Sequence, residues 1–147
     1  MNIFALHHNP QAAAAMLTDV HKVKMVLEAA QILCGVFEPG TAPYKRTHYN
    51  HPCSVWARTS RRNFDWLVAH GLAIASEYTK RYGKVHKSQA VIEWCRDNAH
   101  LLTFPRSSLT PFAQAMPEQY RQADGVAAYR AYYAAEKRGF DHGNQTH

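Results

Sequence analysis

The stretch Thr18–Phe37, TDVHKVKMVLEAAQILCGVF, decides the fold. At about 100° per residue its apolar side chains cover most of the circumference of a helix, so the pattern predicts a buried central helix. His21, Lys24, Glu28 and Gln31 fall at i, i+3, i+7 and i+10, within a sector of about 80°. The sequence therefore predicts one narrow polar stripe along an otherwise apolar rod.

This stripe has two interpretations. The solvated face of an amphipathic helix would look similar. Solvated faces usually repeat Lys, Glu and Arg, however, whereas this stripe holds one imidazole, one ammonium, one carboxylate and one amide. A carboxylate beside His and Lys, with apolar walls, is how a pKa is tuned for proton transfer. We therefore treat the stripe as a candidate site.

Composition indicates one basic domain. The chain has 147 residues, and its 17 Lys and Arg against 11 Asp and Glu give a formal charge of +6, which favours a polyanionic partner. Cys34, Cys53 and Cys95 are odd in number and widely spaced, which predicts reduced thiols. No apolar run is long enough for a signal peptide or a membrane span. We expect a soluble, monomeric, cytoplasmic protein.

Capping and breaking residues predict the other helices. Asn9 followed by Pro10 opens a short Ala-rich helix, Ser60 can restart a helix, and Gly83 ends one. The apolar run 2–6 is either a strand or an extended segment pinned to the core. Besides the central helix, the predicted helices lie at about 10–17, 52–82, 89–97 and 124–138. We predict an all-α fold, a single compact domain over 1–147 of about four or five helices with long irregular connections and a frayed tail at 140–147.

Basic residues cluster along the chain with aromatic residues between them, a pattern that suits a phosphate backbone and unstacked bases. The alternative is that the aromatic side chains form the core and the cations are solvated. We interpret Phe64 and Trp66 as core, and Arg61 and Arg62 beside Asn63 as functional. Basic charge does not by itself separate DNA from RNA or nucleotides. The candidate nucleic-acid-binding residues are Lys22, Lys24, Gln31, Lys45, Arg46, His51, Arg58, Arg61, Arg62, Asn63 and Lys84.

A metal site is a weaker interpretation. His48 and His51 are three residues apart and Cys53 follows, but no second ligand pair with zinc spacing is present. Dinucleotide-binding, P-loop and Ser or Cys nucleophile motifs are absent from the sequence. We expect neither a metal ion nor a cofactor.

The order of these features resembles the small phage-type pyrimidine-dimer DNA glycosylase and abasic-site lyase, the endonuclease V type of dimer excision enzyme. In that family a short apolar run leads to a helix with a His and, seven residues later, a catalytic Glu, which His21 and Glu28 resemble. EYTKRYG, which ends at Gly83, resembles the end of a later long helix of the family. MPEQYRQADGVAAYRAYYAAEK, which begins at Met116, resembles its C-terminal segment, so the resemblance spans most of the chain.

The resemblance implies a specific reaction. The N-terminal α-amine attacks C1′ of the sugar and forms an imine, while the Glu stabilises the cation and assists β-elimination. An α-amine suits this task because its ordinary pKa lies near 8. The implied catalytic residues are Glu28, Met1 through its amine, and His21. His21 and Lys24 would meet phosphates or orient the carboxylate, and one nucleotide would be flipped from duplex DNA.

The sequence departs from the family pattern at two points. The family's chain begins with a Thr exposed by removal of Met, whereas Asn2 is bulky enough that we expect Met1 to be retained. The family also has an Arg two or three positions from the Glu, for which Lys24 and Gln31 are the nearest equivalents.

Three hypotheses follow. The first is a DNA glycosylase, with or without abasic-site lyase activity, acting on a damaged or modified pyrimidine. The second is a nucleotide- or base-modifying enzyme on the same scaffold that forms no Schiff base and tolerates a blocked N-terminus. The third is a non-catalytic DNA-binding module, whose salt-dependent binding to duplex DNA is unaffected by Glu28→Gln.

Overall fold

The computed structural model describes residues 1–141, and within that range the regular secondary structure is helical. The α-helices are α1 (Pro10–Ala15), α2 (Asp19–Cys34), α3 (Pro52–Thr59), α4 (Arg61–Tyr82), α5 (Gln89–Asp97) and α6 (Gly125–Asp141). Short 3₁₀ turns occupy Ala99–Leu101 and Glu118–Tyr120. The prediction of an all-α domain with long irregular connections is confirmed. None of the described helices is both long enough and apolar enough to span a bilayer.

Local capping explains where the helices begin and end. Asn9 caps α1, Thr18 caps α2 and Ser60 caps α4, because each side-chain oxygen accepts a hydrogen bond from a backbone N–H in the first turn. Gly83 ends α4 in the left-handed conformation, with φ of 70°. The predicted break at Ser60 is therefore confirmed, and it lets α3 and α4 pack against each other.

Helix α2 packs against α3, α4, α5 and α6. Its buried side includes Val26, Ile32 and Leu33. The prediction that the helix is buried all round is wrong at Val23 and Leu27, which are 39% and 41% exposed. These two side chains face open pockets on the surface rather than another helix. The exposed apolar strip lies directly beside the predicted polar stripe.

Helix α4 runs past Gly71 to Tyr82 without a break. A Cβ placed on Gly71 would lie 2.8 Å from Ile92 Cδ1 and 3.1 Å from Ala29 Cβ. The glycine therefore allows α2 and α5 to approach α4 closely.

The N-terminal segment is buried against the core and is not a strand, and the Leu6 N–H donates to the Phe4 carbonyl oxygen at 2.8 Å in a tight turn. Of the two alternatives left by the sequence, the segment pinned to the core is the one observed. The side-chain amide of Asn2 donates to Ala115 O at 2.8 Å, and its Oδ1 accepts from the N–H groups of Ile3 and Phe4 at 2.8 and 3.1 Å. These bonds fix the start of the chain beside α2.

The end of the chain is only partly described. Phe140, within the tail predicted to be frayed, is buried in α6 and packs 5.5 Å from the ring of Phe4. Residues 142–147 of that predicted tail lie outside the described residues.

Candidate active site

The start of the chain meets the side chain of Glu28. Oε1 of Glu28 accepts a hydrogen bond from the Asn2 N–H at 3.0 Å and lies 3.5 Å from the Met1 amine nitrogen. The Met1 side chain is only 3% exposed, and its Sδ accepts a hydrogen bond from Ser54 Oγ at 3.3 Å. Because Met1 as a whole is half-buried, its exposed surface belongs to the main chain. The thioether therefore anchors Met1 in the protein, and its amine end is the part that faces the surface.

An open pocket of about 370 Å³ lies at this contact. We call it the Glu28 pocket, and its lining residues are Met1, Lys24, Leu27, Glu28, Gln31 and His48. The structure thus brings together two of the three predicted catalytic residues, Met1 and Glu28. It adds two of the predicted DNA-binding residues, Lys24 and Gln31.

Burial dominates the electrostatics of Glu28. Desolvation raises the pKa of its carboxyl above the ordinary value, although the Met1 amine, the Asn2 N–H and Lys24 each oppose the shift. The side chain nevertheless remains 18% exposed to the pocket. A carboxyl whose pKa is moved toward neutrality suits proton exchange at physiological pH.

His21 lies apart from this pocket. Its side chain is fully buried, with the ring stacked 4.4 Å from Phe4 and Nδ1 2.8 Å from the Tyr133 hydroxyl. Its Nε2 is buried and has no hydrogen-bond partner among the described residues. Burial, and secondarily Lys24, lowers the pKa of His21 to about 4, so the ring is neutral at pH 7. The predicted polar stripe is therefore divided between the core and the pocket.

Two predicted DNA-binding residues make internal contacts. Lys22 Nζ lies 3.5 Å from Glu77 on α4. Asn63 is fully buried: its amide donates to Trp56 O and Thr110 Oγ1 at 2.8 and 2.7 Å, and its Oδ1 accepts from Thr110 N–H at 2.9 Å. These bonds hold the segment around residue 110 against α3 and α4.

Arg46 and Arg58 shape the loop between α2 and α3. Arg46 donates to the carbonyl oxygens of Gly35 and Phe37, at 3.2 and 2.7 Å, just beyond α2. The guanidinium carbons of Arg46 and Arg58 lie 4.1 and 3.7 Å from the ring centroid of Tyr49. Arg58 also donates to the Tyr49 carbonyl oxygen. Both arginines therefore fix the loop that carries His48 into the pocket.

The remaining DNA-binding candidates lie outside the pocket lining. His51 is half-buried and caps α3, with Nδ1 accepting from the Cys53 N–H at 3.0 Å. Burial, then the Met1 amine and His48, lower the pKa of His51. Arg61 pairs with Asp65 at 3.0 Å. The exposed members of the set are Lys45, Arg61, Arg62 and Lys84.

Three residues of this region, His48, Leu27 and Lys87, were not among the candidate site residues predicted from the sequence. His48 was considered only as a metal ligand, and Leu27 only as core. Lys87 lines a second pocket of about 330 Å³ that shares Lys24 and Leu27 with the Glu28 pocket. No local sequence signal marks His48, because its position depends on the Arg46 and Arg58 contacts described above.

The cysteines and histidines of the described residues do not form a metal cluster: no three of their His, Cys, Asp and Glu side chains gather closely enough to hold an ion. All three cysteines are free and buried. Burial raises the pKa of the Cys53 thiol to about 12, so this thiol stays protonated. Cys34 and Cys95 face each other with their sulfur atoms 3.7 Å apart.

A protein-family model matches the part of the chain that forms the Glu28 pocket. The model described as pyrimidine dimer DNA glycosylase matches residues 1–90, which contain α1 to α4 and every residue that lines the Glu28 pocket. No curated protein and no solved structure matches the chain. The family match covers more than half of the 147 residues. The chain therefore belongs to the pyrimidine dimer DNA glycosylase family.

Proposed function

We propose that this protein is a DNA glycosylase that removes a damaged or modified pyrimidine, with the Met1 amine as nucleophile and Glu28 as its catalytic carboxylate. The supporting observation is the 3.5 Å separation between the Met1 nitrogen and Glu28 Oε1 at the wall of an open pocket. A nucleophile and a proton acceptor within reach of each other are the basic arrangement of covalent catalysis.

The chemistry divides between the two groups. The amine must be neutral to attack C1′ of the deoxyribose, and the Glu28 carboxylate is close enough to take its proton and pass it to solvent in the open pocket. The carboxylate then stabilises the positive charge that develops on the sugar as the base departs. The nitrogen lone pair then forms a protonated imine between Met1 and C1′ as the C1′–O4′ bond breaks, and O4′ keeps the electrons of that bond and takes up a proton from solvent. Abasic-site cleavage follows when a base removes a C2′ proton from this imine and the C3′–O bond breaks, with the 3′ phosphate leaving with the electrons of that bond. The Glu28 carboxylate can act as this base.

The surface around the pocket suits DNA. Lys24 lines both the Glu28 pocket and its neighbour, so its ammonium can meet a phosphate at the shared wall. Leu27 and Val23 expose apolar surface beside it, which suits contact with an unstacked base. We propose that the target nucleotide is extruded from the duplex, because a nucleotide whose base is stacked inside the duplex does not expose its sugar C1′ to the pocket. Exposed lysines such as Lys45 and Lys84 add long-range attraction.

Borohydride trapping tests the proposal directly. The probes are two labelled duplexes, one with a single cyclobutane pyrimidine dimer and one with a single abasic site. Protein with a free Met1 amine, confirmed by intact mass, should form a covalent adduct with each duplex when borohydride reduces the imine. One additional residue before Met1 should abolish the adduct, whereas an equal extension at the C-terminus should not.

Each contrary result would favour one of the other two functions considered for this protein. Base release that survives the N-terminal extension would overturn the amine mechanism and favour a base-modifying enzyme without a Schiff base. Binding to duplex DNA without release or trapping on either probe, unaffected by Glu28→Gln, would leave a DNA-binding module.

A further inference from the structure

His48 is a third titratable side chain in the Glu28 pocket, after Glu28 and Lys24, and it comes from a different element. Glu28 projects from α2, whereas His48 lies in the loop between α2 and α3. His48 is exposed, while Glu28 and Met1 are half-buried. A ligand in the pocket would therefore contact an amine, a carboxyl and an imidazole at once.

The backbone at His48 is held in an unfavourable conformation. Its φ is 48°, in the left-handed region that residues other than glycine rarely adopt. The His48 carbonyl accepts from the His51 N–H at 3.0 Å, which closes the turn before α3. Such strain persists only where surrounding contacts enforce it, and it is typical of functional positions.

Contacts on both sides enforce this conformation. Arg46 ties the loop to the end of α2, and Arg58 ties Tyr49 to α3. The two guanidinium groups also lie close to the Tyr49 ring, at 4.1 and 3.7 Å from its centroid. His48 lies between these fixed points, so its side chain has a defined position at the pocket.

A hydrogen bond also orients the imidazole. Nδ1 of His48 lies 2.8 Å from the Thr47 hydroxyl. This contact occupies one ring nitrogen and leaves Nε2 available to a ligand in the pocket. Histidine is the side chain best suited to proton transfer near neutral pH.

The geometry points to His48 as a further catalytic residue, the acid that protonates the departing base. This inference rests on the proposed function of the Glu28 pocket. In the step, the lone pair of the neutral Met1 amine forms the C1′–N bond, and the bond between C1′ and the base breaks with its electrons going to the base. His48 gives its Nε2 proton to the base, and the amine nitrogen passes one proton to the Glu28 carboxylate. Charge is balanced, and no other reactant is needed.

The dimer substrate class makes such an acid useful. A pyrimidine in a cyclobutane dimer has lost its C5–C6 double bond, so the negative charge left on N1 delocalises over fewer atoms than in thymine. The base is then a poorer leaving group and gains more from protonation. An abasic site has no base to expel, so its cleavage does not need this proton.

The difference between the two substrates is the test. His48→Asn removes the acid and keeps a residue that tolerates positive φ. His100→Asn, at an exposed histidine outside the pocket lining, is the matched control. At saturating enzyme, single-turnover base release from the dimer duplex should fall about 100-fold in His48→Asn. Cleavage and trapping on the abasic duplex should stay within about twofold of wild type, since general acid catalysis is then not required.

Other results would overturn the inference. Equal losses on both duplexes would mean that His48 positions DNA, and unchanged dimer release would mean that another group supplies the proton. Thermal unfolding of the variant separates both results from simple misfolding. Failure of wild-type protein on both duplexes would reject the proposed function itself, which is a distinct outcome.

Discussion

The main-chain N–H of Asn2 donates to Glu28 Oε1 over 3.0 Å and so joins the start of the chain to the middle of α2. The same oxygen lies 3.5 Å from the Met1 amine. Because the Asn2 donor is an amide, it keeps its proton when the amine gives its proton up. The carboxylate is therefore held beside the proposed nucleophile in either protonation state of the amine.

Glu28→Gln should remove activity without removing the fold. The amide oxygen of Gln can still accept from Asn2, so the local structure remains, but it cannot take a proton or balance a cation. We expect base release from a dimer duplex to fall by at least about 100-fold. Single-turnover release is the measurement, and Glu93→Gln on α5 is the control.

The same substitution should not lower stability at pH 8. Burial raises the pKa of Glu28 in the folded state, so folding favours its protonated form, and that contribution is lost as pH rises through the folded pKa. At pH 8 the wild-type protein carries the cost of a desolvated carboxylate, which Gln avoids. A lower melting temperature for Glu28→Gln at pH 8 would contradict this account.

Lys22 and Lys24 are near neighbours that should differ in DNA binding. Lys24 lines the two adjoining pockets, whereas Lys22 pairs with Glu77 at 3.5 Å. Lys24→Gln should therefore reduce the slope of log affinity against log salt by about 1, as expected for one lost phosphate contact. Lys22→Gln should leave that slope unchanged. Titration of a labelled duplex at several salt concentrations would show both effects, and equal slopes for the two variants would count against the proposed surface.

Asn63→Ala should destabilise the protein rather than weaken its contact with DNA. The substitution leaves Trp56 O and both Thr110 groups without their buried partner. The expected loss is about 2–4 kcal/mol of unfolding free energy, measured by urea unfolding. The neighbouring exposed Arg62→Ala should change it by less than about 0.5 kcal/mol. Weaker duplex binding by a still-folded Asn63→Ala protein would restore the DNA-contact interpretation.

Gly71→Ala tests the close approach of three helices. The new methyl group would meet Ile92 Cδ1 at 2.8 Å and Ala29 Cβ at 3.1 Å. Overpacking of this kind costs about 1–3 kcal/mol, which should outweigh the gain of about 1 kcal/mol in helix propensity. Ser76→Ala, at an exposed position of the same helix, should be close to neutral by comparison. A rise in melting temperature for Gly71→Ala would show that the helices separate at little cost.

Local signals made most of the fold predictable. Asn9, Ser60 and Gly83 act on the backbone within one turn of their own position, so the sequence alone located these helix ends. The spacing of polar residues on α2 likewise placed Glu28 on the same helix face as Lys24 and Gln31, which line one pocket with it. The predictions that were not met depend on long-range packing. No local pattern shows that Thr110 would form hydrogen bonds with Asn63, or that α2 exposes an apolar strip.

The polar stripe shows the same limit within the site. His21 and Glu28 share one face by helix geometry, but what covers that face changes along its length. Aromatic residues from the first and last segments, Phe4 and Tyr133, cover His21, while Glu28 lies beyond them at the pocket. Helical periodicity gives a direction for each side chain, and only the tertiary structure determines whether a partner or open space lies there.

Acid should unfold the protein through two buried histidines. Burial lowers the pKa of His21 and of His70 to about 4, from the ordinary value of 6.5 for histidine. Because each pKa is lower in the folded state, the histidines contribute stability above pH 6.5, and this contribution is lost as the pH falls toward 4. In that range the unfolded chain binds more protons than the folded chain does. Each histidine should contribute a slope of up to about 1.4 kcal/mol per pH unit in that window. His21→Phe keeps an aromatic ring beside Phe4. In urea unfolding between about pH 6.5 and 4.5, it should reduce the slope of unfolding free energy against pH by the contribution of one histidine. The exposed His100→Gln should leave the slope unchanged, and an equally steep slope in His21→Phe would show that His21 is not one of the groups that acid must charge.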